Sequence, residues 1–252
     1  STGTADRRLA LINAIGSNTS LTLEKYNRWN DATQAGCNYR IFRPVQNLLI
    51  KNLSFRNTAS VSNILNFQYC KTIKLDNIDI VAGINNNKSP IGSITNCGEV
   101  DIQNSRIALN GNSASEAGLT LTNVSQGRFN NNILQGLGTG LTTDDVLTIN
   151  ISGVDSIDFS QNTLYNAGLN AVSNRNTITN NIVSYGYLSA ASIFVVLGAS
   201  IIANNIIRNG KIIANGQMSS SALNIIGNHV IGITGDICID SNGAASNIIG
   251  NT

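Results

Sequence analysis

One phrase recurs down this chain and constrains its fold more than any other feature: apolar-x-apolar-x-Asn, followed by further apolar residues. It reads Leu48-Leu49-Ile50-Lys51-Asn52, then Ile73-Lys74-Leu75-Asp76-Asn77, then Val100-Asp101-Ile102-Gln103-Asn104. Later copies centre on Asn131, Gln161, Asn180, Asn204, Asn228 and Asn251, so the intervals between anchors run 25, 27, 27, 30, 19, 24, 24 and 23 residues. The period-2 alternation before each anchor is that of a β-strand. A repeat whose length drifts while its strand phrase persists fits parallel strands stacked in register, with loops of variable length between them.

In such a stack, equivalent positions lie roughly 4.8 Å apart. Asn at the anchor can then hydrogen-bond to its copies as an amide ladder while tolerating the bent backbone of a turn. A column of Asp or Lys there would repel itself. The expected fold is all-β, a single-stranded right-handed parallel β-helix of about nine coils over residues 47–252. The handedness follows from the twist preference of parallel crossovers. Residues 1–46 are expected to supply a short N-terminal capping helix and opening strands. Thr4 reads as its N-cap, Leu9, Leu11, Ile12 and Ile15 share one face, and Gly16 reads as its stop. Leu21-Thr22-Leu23 and Tyr39-Arg40-Ile41-Phe42 read as the opening strands. At the other end Asn251 is itself an anchor, so the sequence is expected to stop within a coil that further chain or a partner covers.

The slot after the anchor also repeats, as Asn132, Asn162, Asn181, Asn205 and then His229. His229 is the one histidine; it reads either as a catalytic base, with Asp236 and Asp240 nearby in sequence, or as a ladder amide replaced by another hydrogen-bonding side chain. Cys70 precedes Asn77, and Cys97 precedes Asn104, by the same seven residues, which predicts that the two stack in neighbouring coils. The four cysteines form no Cys-x-x-Cys motif and read as buried free thiols.

Only 12% of residues are charged against 42% hydrophobic, so the surface must be built from Asn, Ser, Thr and Gly. The 16 Lys and Arg are scattered, with a formal charge of +2, and form no stripe that would track a phosphate backbone; nucleic acid is not an expected partner. The longest apolar run, Ile193-Phe194-Val195-Val196-Leu197, is of strand length, so no membrane insertion is expected. Neither a metal nor a cofactor is expected from the motifs.

The run Thr4-Ala5-Asp6-Arg7-Arg8-Leu9-Ala10-Leu11-Ile12-Asn13-Ala14-Ile15-Gly16, with Ser20-Leu21-Thr22-Leu23 after it, resembles the capping helix and first strand of pectate-lyase-like β-helices, and within them most resembles bacteriophage tailspikes. The phrase Val45-Gln46-Asn47-Leu48-Leu49-Ile50-Lys51-Asn52-Leu53 is similar to the one that opens their solenoids. The resemblance implies recognition of a bacterial surface polysaccharide, a homotrimer, and a place on the virion tail or outside the cell. It also implies further parts before and after the solenoid. Asp144-Asp145-Val146-Leu147-Thr148-Ile149 is similar to the Asp-Asp motif of polygalacturonase-type hydrolases. That family's Gly-His-Gly phrase is replaced here by Asn166-Ala167-Gly168-Leu169, and its Arg-x-Lys motif is missing, so only Asp144 and Asp145 carry over.

Matching Leu119-Thr120-Leu121 to Leu147-Thr148-Ile149 gives a spacing of 28, which also takes Lys88 to Glu116 and Glu116 to Asp144. This predicts a column of Lys88, Glu116 and Asp144 with Asp145 beside it. Carboxylates on neighbouring coils can approach to roughly the 5 to 5.5 Å that separates acid and nucleophile in a retaining glycosidase. The alternative is a solvated turn in which Lys88 and Glu116 form a surface ion pair. Whether the chain cleaves a glycan is open, with hydrolysis by Glu116 and Asp144 ahead of elimination. For elimination, Lys88, Arg106, Arg128 and Tyr165 are available but share no spacing. Tyr26, Arg28 and Trp29, with Tyr165, Tyr185 and Tyr187, read either as a platform for sugar rings or as packing against the coils or a neighbouring subunit. The rival to a glycan-recognising protein is a purely structural or adhesive β-helix.

Overall fold

In the computed structural model the described residues are 12–17, 20–23, 45–56, 64–82, 91–109, 118–136, 147–184, 192–215, 222–231, 239–242 and 245–252. Among them there is no helix. Eighteen strands form one sheet in which every pairing is parallel, and two further strands pair antiparallel on their own.

The register resolves the parallel strands into three columns. In the first, Leu65, Gly92, Leu119, Ile149, Leu169, Phe194, Ile212 and Ile239 follow one another as direct partners. In the second the succession is Leu48, Ile73, Val100, Gly127, Ile157, Asn176, Ser200, Leu223 and Ser246. The third runs Ser54, Asp79, Arg106, Ile133, Thr163, Ile182, Ile206 and His229. A rung is one set of segments at the same level of the three columns, and within each column the segments pair in the order of the sequence. Alternate side chains point to one side of each strand, as the pleat requires. That side is apolar: Ile73, Leu75, Ile80, Ile94, Ile102, Ile107, Leu121, Phe129, Leu134, Ile151 and Phe159 are wholly buried. Phe129 and Phe159 stack on successive rungs with centroids 5.7 Å apart.

Corners between columns need a left-handed residue. Between the first and second they are Tyr69, Asn96, Asn123 and Gly153; between the second and third they are Asn52, Asn77, Asn104, Asn131, Gln161, Asn180, Asn204, Gly227 and Gly250. All have φ between 52° and 63°, where Asn is tolerated and Gly is unstrained.

This register corrects the sequence reading at its C-terminal end. Asn204 is followed in its column by Gly227 and Gly250, because Ala203 pairs with Ile226 and Ile226 with Ile249. Asn228 and Asn251 therefore belong one slot later, with Asn132, Asn162, Asn181 and Asn205. His229 belongs later still, opposite Ile206. A glycine takes a left-handed corner as readily as Asn does, and a pattern search for Asn slips by one residue where that exchange occurs.

The helix expected near the N-terminus is also corrected. Ile12–Ser17 is a strand that pairs antiparallel with Ser20–Leu23, Ile12 opposite Leu23 and Ser17 opposite Ser20. The β-branched Ile12 and Ile15 are at home in a strand, and Gly16, read as a helix stop, lies within it. The rest of that segment, and Tyr39–Phe42 with it, lies outside the described residues. Leu21-Thr22-Leu23 is extended as expected.

Candidate functional site

Two Asn columns run side by side, and they do different work. The later one is buried: Asn132, Asn162, Asn181, Asn205 and Asn228 are at most 1% exposed. Each Nδ2 donates to the Oδ1 of the next rung, at 3.0 Å from Asn132 to Asn162, 3.1 Å from Asn162 to Asn181, and 2.9 Å for each of the three steps that end at Asn251. Each Oδ1 also accepts a backbone N–H from the rung before, as Asn181 does from Asn162 at 2.9 Å. The second Nδ2 hydrogen goes to a main-chain carbonyl, Phe159 for Asn181 at 2.9 Å. A buried amide of this kind is fully satisfied, so this column is a scaffold and has no capacity left for a ligand.

The earlier column, at the corner itself, faces solvent. Asn77 Nδ2 donates to Asn52 Oδ1 and Asn131 Nδ2 to Asn104 Oδ1, both at 2.8 Å and both exposed. Asn104 donates instead to Asp76 Oδ1 at 3.0 Å. That bond, before those from Gln103 and Lys51, holds the Asp76 carboxyl below its ordinary value.

An open groove of about 690 Å³ runs along this corner, lined by Asn52, Asn77, Asn104, Asn131 and Gln161 and by the first residues of the third column, Ser54, Asp79, Arg106, Ile133 and Thr163. Within it Arg106 Nη1 reaches Asp79 Oδ1 at 3.2 Å and Arg106 Nε donates to Gln135 Oε1 at 3.1 Å. Arg56 approaches the other Asp79 oxygen at 3.7 Å. Outside the groove, the second column carries alternating charges on successive rungs, Lys74, Asp101, Arg128 and Asp158, with Lys74 and Asp101 3.9 Å apart. Further up the stack the outward residues turn apolar: Ile182, Ile206 and Ile231 on the third column, Ile201 and Ile226 on the second, all exposed.

Of the residues expected to form the carboxylate column and the sugar platform, Tyr165 is the one described; Arg106, Arg128 and His229, the other candidates named above, are described as well. Tyr165 is 45% exposed on the strand Thr163–Tyr165, directly above Gln135 and below Ser184. Glu116, Asp144, Asp145, Lys88, Tyr26, Arg28, Trp29, Tyr185 and Tyr187 lie outside the described residues. The strand match behind the carboxylate column is corrected, however. Leu119 pairs with Ile149, not Leu147, and with Gly92 on the other side, which gives spacings of 30 and 27 in place of a common 28.

The cysteine reading holds for the described pair. Cys70 and Cys97 are buried free thiols on neighbouring rungs, with the Cys70 amide donating to Cys97 Sγ at 3.5 Å. Burial pushes the Cys97 thiol up to about 11 and raises that of Cys70 as well. Such thiols are poor nucleophiles and poor ligands. His229 Nδ1 lies 2.8 Å from Thr252 Oγ1 at an exposed position, and the backbone of Asp240 stands in the first column while His229 stands in the third. No group of three or more His, Cys, Asp or Glu that could hold a metal occurs among the described residues.

The Asp79 and Arg106 pair went unnoticed in the sequence, although a signal was there. Each stands two residues after a corner Asn, Asn77 and Asn104, while Arg56, Gln135 and Tyr165 stand four after the corners Asn52, Asn131 and Gln161. No protein-family model matches the chain, and no curated protein or solved structure does either.

Proposed function

We propose that the stacked rungs form one right-handed parallel β-helix of about nine coils over residues 47–252, and that its flank binds a bacterial surface polysaccharide, in the manner of a tailspike-like receptor-binding protein on a virion tail or outside a cell. The observation that carries this reading is the groove. It crosses five successive corners, offers an amide at each, and is walled by hydroxyl, carboxylate and guanidinium groups at a fixed register. A long ligand of repeating hydroxylated units matches a site that repeats at every rung, whereas a compact metabolite would leave most of it empty. Tyr165, one rung above Gln135, adds an aromatic face at its edge. The right-handed sense is supported by the strong chirality of parallel crossover connections.

The proposal includes a homotrimer, supported by the exposed isoleucines of the upper rungs, of which Ile182 and Ile206 are direct neighbours, since exposed apolar side chains gain by being covered. Recognition is what the groove supports; a hydrolytic pair of Glu116 and Asp144 has lost its matching spacing.

Isothermal titration against a panel of extracted and defined polysaccharides tests the reading, with reducing ends and the absorbance of unsaturated products followed in parallel. Saturable binding that Asn77→Ala with Asn104→Ala weakens at least tenfold is the expected result. No binding to any glycan overturns it. New reducing ends would add hydrolysis, and Glu116→Gln and Asp144→Asn would then show whether those side chains perform it; binding with neither product leaves an adhesive protein.

A further inference from the structure

Charge in the groove does not balance. Arg56 and Arg106 converge on the one carboxylate of Asp79, from 3.7 and 3.2 Å, while Asp76 across the corner is taken by Lys51 at 3.4 Å and by the Asn104 amide at 3.0 Å, so among the described residues three cations stand here against two acids. Gln135 takes Nε of Arg106 and Asp79 takes Nη1, which orients the guanidinium plane and, among the described residues, leaves Nη2 without a partner. Asp79 is itself about a third exposed, so its ion pairs are of the solvent-accessible kind that are cheap to exchange.

We propose that the structure assigns an anion subsite here, centred on Arg106 with Arg56 beside it, which takes the carboxylate of an acidic sugar; this rests on the glycan-binding reading above. Guanidinium is the side chain best matched to a carboxylate, because its planar fork meets both oxygens at once. The surroundings supply what the rest of a sugar ring needs. Asn104, at the corner before Arg106, and Asn77 and Ser54, one and two rungs below, line the same groove for ring hydroxyls, and Tyr165 follows Gln135 on the next rung for a ring face. Asp79 then acts as a resident competitor, occupying the arginines until a ligand carboxylate displaces it.

The test is titration of the whole chain with oligogalacturonate, with the same oligomer methyl-esterified, and with inorganic phosphate, at low and high salt. The acid form is expected to bind at least tenfold tighter than the ester, with the difference shrinking as salt rises. Arg106→Gln should remove about tenfold of the affinity for the acid and leave the ester unchanged, with far-UV circular dichroism checking that the fold is kept. Asp79→Asn, which frees both arginines, should tighten the acid form and provides a gain that misfolding cannot mimic. Equal binding of acid and ester, insensitive to Arg106→Gln, would sink this subsite while leaving glycan recognition standing. Phosphate binding as tightly as the acid oligomer would overturn the assignment to a sugar. Silence from every glycan in the panel would remove the parent reading, and the subsite with it.

Discussion

A carboxamide buried between two rungs has to place two donors and two acceptor sites, and the inner Asn column does so at every step. Asn181 accepts from the Asn162 backbone, donates to Phe159 O, and is bonded to the amides of both neighbours. Truncation to alanine leaves a buried N–H and a carbonyl unpaired on adjacent rungs. Asn181→Ala should therefore cost about 3 kcal/mol or more, read as a lower urea midpoint. Asn180→Ala, at the solvent-facing corner beside it, should cost less, since what it loses is the short polar side chain by which Asn tolerates a φ of 58° better than Ala does. Asp76 gives a second prediction. Its carboxyl is held below the ordinary value of 3.8 by the Asn104 amide first. A depressed acid stabilises the folded state above its unfolded value and loses that contribution as pH falls through the folded one. Melting temperatures measured from pH 6 down to 3 should fall more steeply for the parent than for Asp76→Asn. Cys97, with its thiol raised to about 11 by burial, has the opposite sign: the thiol stabilises the fold below its unfolded value and is lost as a stabiliser above 9. Peptide mapping after iodoacetamide at neutral pH should find Cys97 unmodified until denaturant is added.

At the scale of elements, neighbouring rungs approach so closely that some positions admit no side chain. A Cβ on Gly92 would strike the main chain of Leu65 on the rung below. Gly92→Ala should push these rungs apart and lower stability by about 2 kcal/mol. Gly227 is different. Its φ is +62°, and a Cβ there would sit 2.9 Å from Asn204 Oδ1, the movable tip of a side chain. Asn on Asn is the arrangement already present at Asn77 above Asn52, so Gly227→Asn should fold with near-parent stability while Gly227→Val should not, because a β-branched residue is poorly tolerated at positive φ. Thermal denaturation of the two variants checks this. The strands themselves were legible from alternation, because burial on one side of a pleat leaves a period of two in the sequence. Which corner residue belongs to which column was not, since Gly227 satisfies the same backbone demand as Asn without sharing its name. The short strand Ile12–Ser17 was misread because Leu9, Ile12 and Ile15, three apart, satisfy a helical period, while the antiparallel partner at Ser20–Leu23, which no period in the sequence reports, makes the segment extended.

Across the whole molecule the outward surface divides. Lower rungs carry paired charges, Lys51 with Asp76, Lys74 with Asp101, Arg106 with Asp79, among exposed apolar residues such as Leu49, Leu53 and Ile133, and upper rungs present Ile182, Ile201, Ile206, Ile226 and Ile231. If the upper isoleucines join copies of the chain, Ile182→Asp with Ile206→Asp should convert a trimer to a monomer in light scattering without loss of β-signal, because both side chains point away from the core. Parent protein that is monomeric under the same conditions would remove that interface. The sequence by itself determined the repeat, the parallel stacking, the buried cysteine pair and the existence of an amide ladder, because each leaves a periodic mark on residue type. Only the tertiary structure decided which of the two Asn columns is satisfied and buried and which is open, and that Arg106 meets Asp79 and Gln135, with Arg56 on the other side of Asp79. Those four residues come from four successive repeats, whose corners Asn52, Asn77, Asn104 and Asn131 are 25, 27 and 27 residues apart, and two of them stand two residues after their corner and two stand four after, so that no single period through the sequence aligns them.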